Sequence, residues 1–477
     1  MEENTTASAP QPTPKKKKFA LKVPHTYVLL GMILILCAVL TYVIPAGSFD
    51  RMIDPETERE IVVAGTYHQM ESNPATPFSV FLAIQEGMVQ VADIIFFIFF
   101  AYGFVFMTLK TGAMEAGIGT LLRLLKSRVD LIIPIFIVLF GIMGSTIGLY
   151  EEVYGLIPVF LGIFISLGYD AIVGGAVVVV GVVSGFAAAT TNPFTIGIAQ
   201  SIAGLPMFSG LNLRIVVFVV FEIAIIAYTM HYAHKIKKDP TRSIVYGMDF
   251  PMHKTRDSEE LKQLKLTPRH KVIMLVFLAT IVTMVLGTLK LGWYINEIAA
   301  VFLIGMLLIG LIGGYNFSQI ADSFVEAVSS VIYGALVIGI ARAILIVMQN
   351  GMIIDSIVYY MVNALQGASN YVAAIGMVLI QNVLNFFIPS GSGQAATTMP
   401  IMAPVADLLG LHRQIAVLAY QFGDGFSNLF WPTVVATECG LMGVPLNKWY
   451  KFMAPLFGIF IVLQIIFMCI AVAIGYQ

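Results

Sequence analysis

The sequence predicts an all-α polytopic membrane protein built as an inverted repeat, with two re-entrant hairpins and two broken transmembrane helices. Three observations carry that expectation. The 477 residues are 58% hydrophobic and only 12% charged, with a mean hydropathy of +0.87, against roughly 25% charged in an average soluble domain. Apolar runs of about 20 residues, enough for a helix to cross a bilayer, recur from end to end. The chain also matches itself at an offset of 239 to 240. This composition excludes an ordinary water-soluble enzyme, and a net charge of −1 without a large basic face argues against a nucleic-acid partner. Cys37, Cys439 and Cys469 lie in or beside apolar segments with no CxxC pair or metal spacing, so neither a disulfide framework nor a metal site is expected.

The elements follow in order. Residues 1–24 begin with a polar stretch holding three prolines and ending in four lysines, which reads as a disordered cytoplasmic tail. The run from Tyr27 to Ile44 is longer than the apolar core of a signal peptide, so it reads as an uncleaved first span. Lysine and arginine collect in cytoplasmic loops. Of the 27, five fall in the tail, four in residues 110–128, ten in residues 234–271, and Lys448 and Lys451 add two. Residues 47–76 hold two arginines against six carboxylates and read as an outside loop. Threading the chain accordingly predicts outward spans at 25–46, 172–199, 271–291, 331–350 and 451–475. Inward spans fall at 91–109, 213–233, 297–315 and 412–438. Segments 130–168 and 371–409, apolar but interrupted midway, read as the two hairpins.

The self-match joins like segments in like order: Phe78-Ser79 with Phe317-Ser318, Glu86 with Glu326, Gly112 with Gly351, Glu115 with Asp355, Gly185-Phe186 with Gly425-Phe426, and Pro193 with Pro432. The threading points the two copies in opposite directions, the architecture of secondary transporters whose site lies near the bilayer midplane. The chain divides into residues 25–129 and 130–233 (scaffold and transport parts of repeat 1), a basic cytoplasmic linker at 234–270, and residues 271–370 and 371–477 (the same parts of repeat 2). A lipid-facing partner is implied throughout.

Polar backbone that lipid forbids must be buried in protein or line a cavity, so the interrupted segments point to the site. They are Gly144–Glu152, Ala187–Phe194, Ile388–Thr398 and Gly423–Pro432. Proline and clustered glycine free carbonyls and amides there, suited to a cation and to a carboxylate respectively. Candidate substrate groups are Glu151, Glu152, Asn192, Ser390, Gly391, Ser392, Asp424 and Asn428. Candidate ion groups are Ser145, Thr146, Thr190, Thr191 and Ser427. Ionisable residues at depth are costly unless paired or wet. Glu222 and Arg342, each midway along a span, are further candidates, with side-chain pairing the alternative for Glu222 and an internal salt bridge for Arg342. Tyr150, Phe430 and Trp431 are candidate pocket walls, and Gln381, Asn382 and Asn385 candidate interhelical hydrogen-bonders. The deep carboxylates outnumber Arg342, which favours a zwitterionic or cationic solute over a dianion.

At GSTIGLYEE, ATTNPF, PSGSGQA and DGFSN, with the basic central loop, the sequence resembles the C4-dicarboxylate anaerobic carrier family and within it the YfcC branch of basic amino acid antiporters. PSGSGQA (Pro389 to Ala395) is the most specific element. The resemblance implies an ion transporter superfamily fold, with a dimerising scaffold and a transport domain that moves as an elevator. It places Ser145, Thr146 and Thr190 to Asn192 in one half-site, and Ser390, Gly391, Ser392, Asp424, Ser427 and Asn428 in the other. Ser-Thr-Ile and Ser-Gly-Ser stand where sodium-coupled carboxylate carriers of that superfamily have Ser-Asn-Thr, so Na⁺ or H⁺ coupling stays open. The expectation is a homodimeric bacterial inner-membrane secondary transporter, not an enzyme, with the N-terminus cytoplasmic, the C-terminus outside and no cofactor. Its substrate would be an amino acid such as arginine or ornithine, taken by exchange or ion coupling. C4-dicarboxylates or other organic anions are the alternative, and a passive channel the remote one.

Overall fold

A computed structural model describes residues 25–53, 60–125, 129–250, 263–365 and 367–477. The predicted tail at 1–24 and residues 251–262 of the basic linker lie outside the described residues. The chain opens with helix α1 (Thr26–Val43), followed by four short strands. Strand β1 (Gly47–Ser48) pairs antiparallel with β4 (His68–Gln69), Gly47 opposite Gln69, and β2 (Arg51–Ile53) pairs with β3 (Glu60–Val62), Arg51 opposite Val62. Asp355 pins this loop down. Its carboxylate accepts from the Arg51 guanidinium and the Phe49 amide, each at 3.0 Å.

Helices α2 (Pro77–Gln90), α3 (Ala92–Lys110) and α4 (Ala113–Leu125) follow. Thr76 caps α2 through the Ser79 amide, with Pro77 supplying a preset first turn. The segment expected as the first hairpin, and called so below, is α5 (Ile132–Thr146), a break, a tight turn at Glu151–Leu156 and α6 (Ile157–Ser166). Helix α7 (Ala171–Ala187) is capped by Asp170, breaks at residues 188–192 and resumes as α8, residues 193–202. Helix α9 (Leu211–Lys238) closes the first half.

The second half runs α10 (Pro268–Leu291), α11 (Ile295–Gly313), α12 (Phe317–Asn350) and α13 (Ile354–Asn363). The second hairpin is α14 (Asn370–Phe387), a break at 388–390 and α15 (Gly391–Leu408). Helix α16 (Arg413–Ser427) is followed by a break at 428–431, α17 (Pro432–Met442) and α18 (Leu446–Ala473). The sequence of hairpin, broken helix, long helix thus occurs twice in the same order.

Among the described residues, seven helices are long and apolar enough to cross a membrane. Their outer faces stay apolar: Met32, Ile35, Leu36 and Val39 on α1 and Val462, Ile466 and Ile470 on α18 are exposed, a surface suited to lipid rather than water. Helix α3 packs against α11 and α12, and α12 also crosses α1, α2 and α17. Hairpin arm α5 packs on α7 as α14 packs on α16. Both hairpin contacts need glycine for close approach. A Cβ on Gly185 would meet the Gly141 backbone, and one on Gly423 would meet the Gln381 side chain and the Asn382 amide.

The structure corrects several expected bounds. Helix α12 begins at Phe317, not 331, because Asn316 and Gln319 form a reciprocal capping box. Its polar first third carries no hydropathy signal. Spans 172–199 and 412–438 are interrupted as expected, at residues 188–192 and 428–431. Helix α9 runs to Lys238, past the expected span end at 233. Helices α2, α4 and α13 are separate elements that the apolar runs do not predict.

Candidate functional site

A cavity of about 450 Å³ lies where the hairpin tips and broken helices face α2, α3, α11 and α12. The first tip is shaped by Gly148, whose φ of +78° turns the chain back after α5. The Thr190 and Thr191 amides donate to the Ser145 carbonyl at 3.0 and 3.1 Å, and the Ser145 and Thr190 hydroxyls meet at 3.0 Å. Thr146 donates to the Ile142 carbonyl, and Thr191 to that of Thr146 at 3.5 Å. The four candidate ion residues of the first half are therefore brought together, but their polar groups bond to one another and tie the tip to the break. They do not line the cavity.

The second tip begins at Ser390, which is extended and caps α15 by accepting from the Gly393 amide at 3.3 Å. The opening amides of α15 lack intrahelical acceptors, and Ser390, Gly391 and Ser392 all line the cavity. Asn385 secures the neighbouring break: its amide donates to the Asp424 carbonyl, the Ser427 hydroxyl and the Asn428 side chain. Asn428 lines the cavity and Ser427 does not. Asp424 sits behind Gly391, fully buried, and neither carboxylate oxygen meets a donor among the described residues. A Cβ on Gly391 would lie 3.3 Å from Asp424 Oδ2 and 2.9 Å from Thr195 Cγ2. Thr195 Oγ1 and Asn192 Nδ2 are likewise buried without a partner, while Asn192 Oδ1 caps the Phe194 amide at 2.9 Å. Asn192 and Asp424 thus stand behind the cavity wall.

Glu151 and Glu152 line the cavity directly. Glu152 is buried and accepts from the Tyr150 amide at 2.9 Å. Glu151 is half-buried and meets the Tyr294 hydroxyl at 3.4 Å. Opposite them, Asp93, Gln90 and Arg342 line the far wall. Arg342 Nε donates to Gln90 Oε1 at 2.9 Å, and it has no ion pair among the described residues, contrary to the internal salt bridge the sequence favoured. Three carboxylates and one guanidinium therefore face the cavity.

Other candidates lie elsewhere. Glu222 accepts from Ser184 at 3.0 Å in a notch left by Gly141, away from the cavity. Phe430 stacks on Phe457 and Trp431 donates to the Asn382 carbonyl, so of the three proposed aromatic walls only Tyr150 contributes. Gln381 bonds Thr398 and Gln394 between helices.

Sequence reasoning missed Tyr154, Tyr294, Thr433 and Thr437, which line the cavity. It also missed Glu438, which accepts from the Tyr150 hydroxyl at 3.1 Å. Glu438 is the only ionisable side chain but Cys439 in α17, so the rule used for Glu222 would have found it.

Known proteins resemble the chain along nearly its whole length. It is similar to an Escherichia coli (strain K12) protein named "Putative basic amino acid antiporter YfcC", 34% identical over 95% of this chain and 97% of that one. It is 29% identical to an uncharacterized protein of Haemophilus influenzae Rd, over 96% and 99%. Two solved structures resemble it more loosely. The YdaH transporter of Alcanivorax borkumensis gives a TM-score of 0.43 at 14% identity, covering 95% of this chain and 99% of that one. MtrF of Neisseria gonorrhoeae, from a class of antimetabolite efflux pumps, gives 0.42 at 18%, covering 95% and 96%. The model of the C4-dicarboxylate anaerobic carrier family matches residues 23–473. The chain is a multi-pass membrane transporter and belongs to the C4-dicarboxylate anaerobic carrier family.

Proposed function

We propose that the protein is a secondary transporter of basic amino acids, arginine or ornithine foremost, working by alternating access. The observation that carries this reading is the polarity of the cavity. Glu151 and Glu152 lie at one hairpin tip, and the opening amides of α15 lie at the other, both lining the same space. A cationic side chain meets carboxylates at the first, while an α-carboxylate meets the positive end of an 18-residue helix at the second, with Arg342 lining the same cavity from the facing wall. The name of the Escherichia coli relative points the same way. A dianion would face Glu151, Glu152 and Asp93 with a single guanidinium, which disfavours the C4-dicarboxylates of the family's name.

The mechanism that fits is an elevator. One cavity wall comes only from hairpins and broken helices, the other from α2, α3, α11 and α12, so sliding the first set against the second would carry the solute across. The repeated order of elements supports an inverted repeat, with the scaffold as a dimer interface in the inner membrane and the N-terminus cytoplasmic. Asp424 and Thr195, whose side-chain oxygens have no partner among the described residues, sit next to Gly391 and are the place for a coupling cation. In proteoliposomes, internal ornithine should accelerate entry of labelled arginine and internal succinate should not. Acceleration by succinate alone would favour the dicarboxylate reading.

A further inference from the structure

Behind the cavity lies a carboxyl the substrate geometry does not use. Glu438 is fully buried on α17, and only Oε1 has a donor, the Tyr150 hydroxyl; Oε2 has none among the described residues. No cation pairs with it among the described residues. Residue 438 lies in the C-terminal half of the 11-residue helix, where the helix dipole opposes negative charge. The groups facing it from neighbouring elements are Tyr150 and Tyr154 at the first hairpin tip, with Glu151 and Glu152 beyond. Cys439 is beside it on its own helix, with Tyr450 of α18 near that thiol. Across the cavity stands Arg342 on α12, bonded to Gln90. Every charged neighbour on the near side is acidic.

A carboxyl in such surroundings needs a compensating proton or cation to stay buried. Tyr150 gives it a route to both. Its hydroxyl, which can donate and accept, touches Glu438, its amide holds Glu152, and its side chain lines the cavity. Thr433 and Thr437, on the same helix as Glu438, line the cavity as well.

We propose that Glu438 is the counter-proton site: a proton held on its carboxyl leaves through Tyr150 when the cationic group of the substrate enters beside Glu151 and Glu152. Substrate and proton then neutralise one acidic cluster alternately, and the carrier exchanges a basic solute for H⁺. The carboxyl O–H breaks as its proton passes to the Tyr150 oxygen, the tyrosine gives its own hydroxyl proton to solvent in the cavity, and Tyr150 ends as a neutral phenol while Glu438 ends as a carboxylate. This rests on the basic amino acid reading and adds the exchanged ion.

The test is calorimetric binding of arginine to the full-length protein in lipid nanodiscs, in buffers of different ionisation enthalpy across pH 5 to 8. Wild type should release about one proton per arginine, with an apparent Kd that falls about tenfold per pH unit on the acid side. Glu438→Gln should bind arginine with no release and a flat pH profile. Tyr150→Phe should keep the release but move its pH midpoint. Equal release by wild type and Glu438→Gln overturns the proposal, as does arginine binding to wild type without release. If wild type binds no basic amino acid, the substrate reading fails and this proposal with it. Should Glu438→Gln not fold, Glu438→Asp decides: a shifted release profile supports the assignment, and an unchanged one rejects it.

Discussion

Replacing Glu151 with glutamine isolates the charge that the cavity offers a basic side chain. Glu151 is half-buried, it lines the cavity, and among the described residues its side chain has one hydrogen bond, the long 3.4 Å contact from Tyr294 to Oε2. Its other oxygen is therefore available to a ligand, and a glutamine side chain in its place would occupy nearly the same volume. The change removes one charge-assisted contact, worth about 1.5–3 kcal/mol. That converts to a roughly 10- to 150-fold weaker Kd for arginine. Citrulline has nearly the shape of arginine but no charge, and glutamine can still meet its ureido group with a neutral hydrogen bond, so its affinity should change by less than about threefold. Scintillation proximity binding with both ligands on detergent-purified protein measures the ratio directly. Glu152→Gln should also disturb the tip, because Glu152 holds the Tyr150 amide. Equal loss of arginine and citrulline binding in Glu151→Gln, or no loss of either, would refute the assignment of Glu151 to the side-chain cation.

Arg342→Gln should weaken arginine and citrulline to the same degree, since both present an α-carboxylate to that wall; selective loss of one, read in the same binding assay, contradicts it. Glu222→Gln should leave arginine counterflow within about twofold, because Glu222 bonds Ser184 away from the cavity and glutamine keeps that bond. Asp355→Asn should lower the melting temperature measured by intrinsic fluorescence without changing arginine affinity, because Asp355 joins the Arg51 and Phe49 loop to α13 rather than touching the main cavity.

The breaks in the chain were legible because they are written in residue type. Asn192-Pro193, Pro389 to Gly393 and Trp431-Pro432 each combine proline with small or capping residues inside an apolar run, and the helices separate at those points. Helix α12 was legible only over its apolar part: the Asn316–Gln319 capping box starts it earlier, in a polar stretch holding Asp322 and Glu326 that a hydropathy window does not register. Clustering was legible as well, since the two hairpin tips and the Asn428 break do share one cavity. What the sequence withheld was the outcome of competition for hydrogen bonds. Ser145, Thr146, Thr190 and Thr191 have the right chemistry to hold an ion, yet their donors and acceptors meet one another across 45 residues of chain. Tyr294 and Glu438 contribute from far along the chain, and no local pattern announces a partner 143 or 288 residues away.

If the proposed substrate holds, the same distinction between main-chain and side-chain groups gives a family framework room for different solutes. On the proposed reading, the main-chain part of the cavity, where α15 opens with the Gly391 and Ser392 amides lacking intrahelical acceptors, offers a carboxylate-binding end whatever the side chains around it. An amino acid and a dicarboxylate both present one carboxylate to it. On the proposed reading, discrimination falls to the groups facing the solute's other end, Glu151 and Glu152 backed by Tyr150 and Glu438. Two carboxylates there repel a second carboxylate and attract an ammonium or guanidinium, so charge reversal at that end is the step that separates the two substrate classes. Replacing both glutamates with a neutral pair should accordingly raise binding of a dicarboxylate relative to arginine. A double variant that loses arginine and still rejects succinate in the binding assay would place the selectivity elsewhere in the wall, with Asp93 the next group to change.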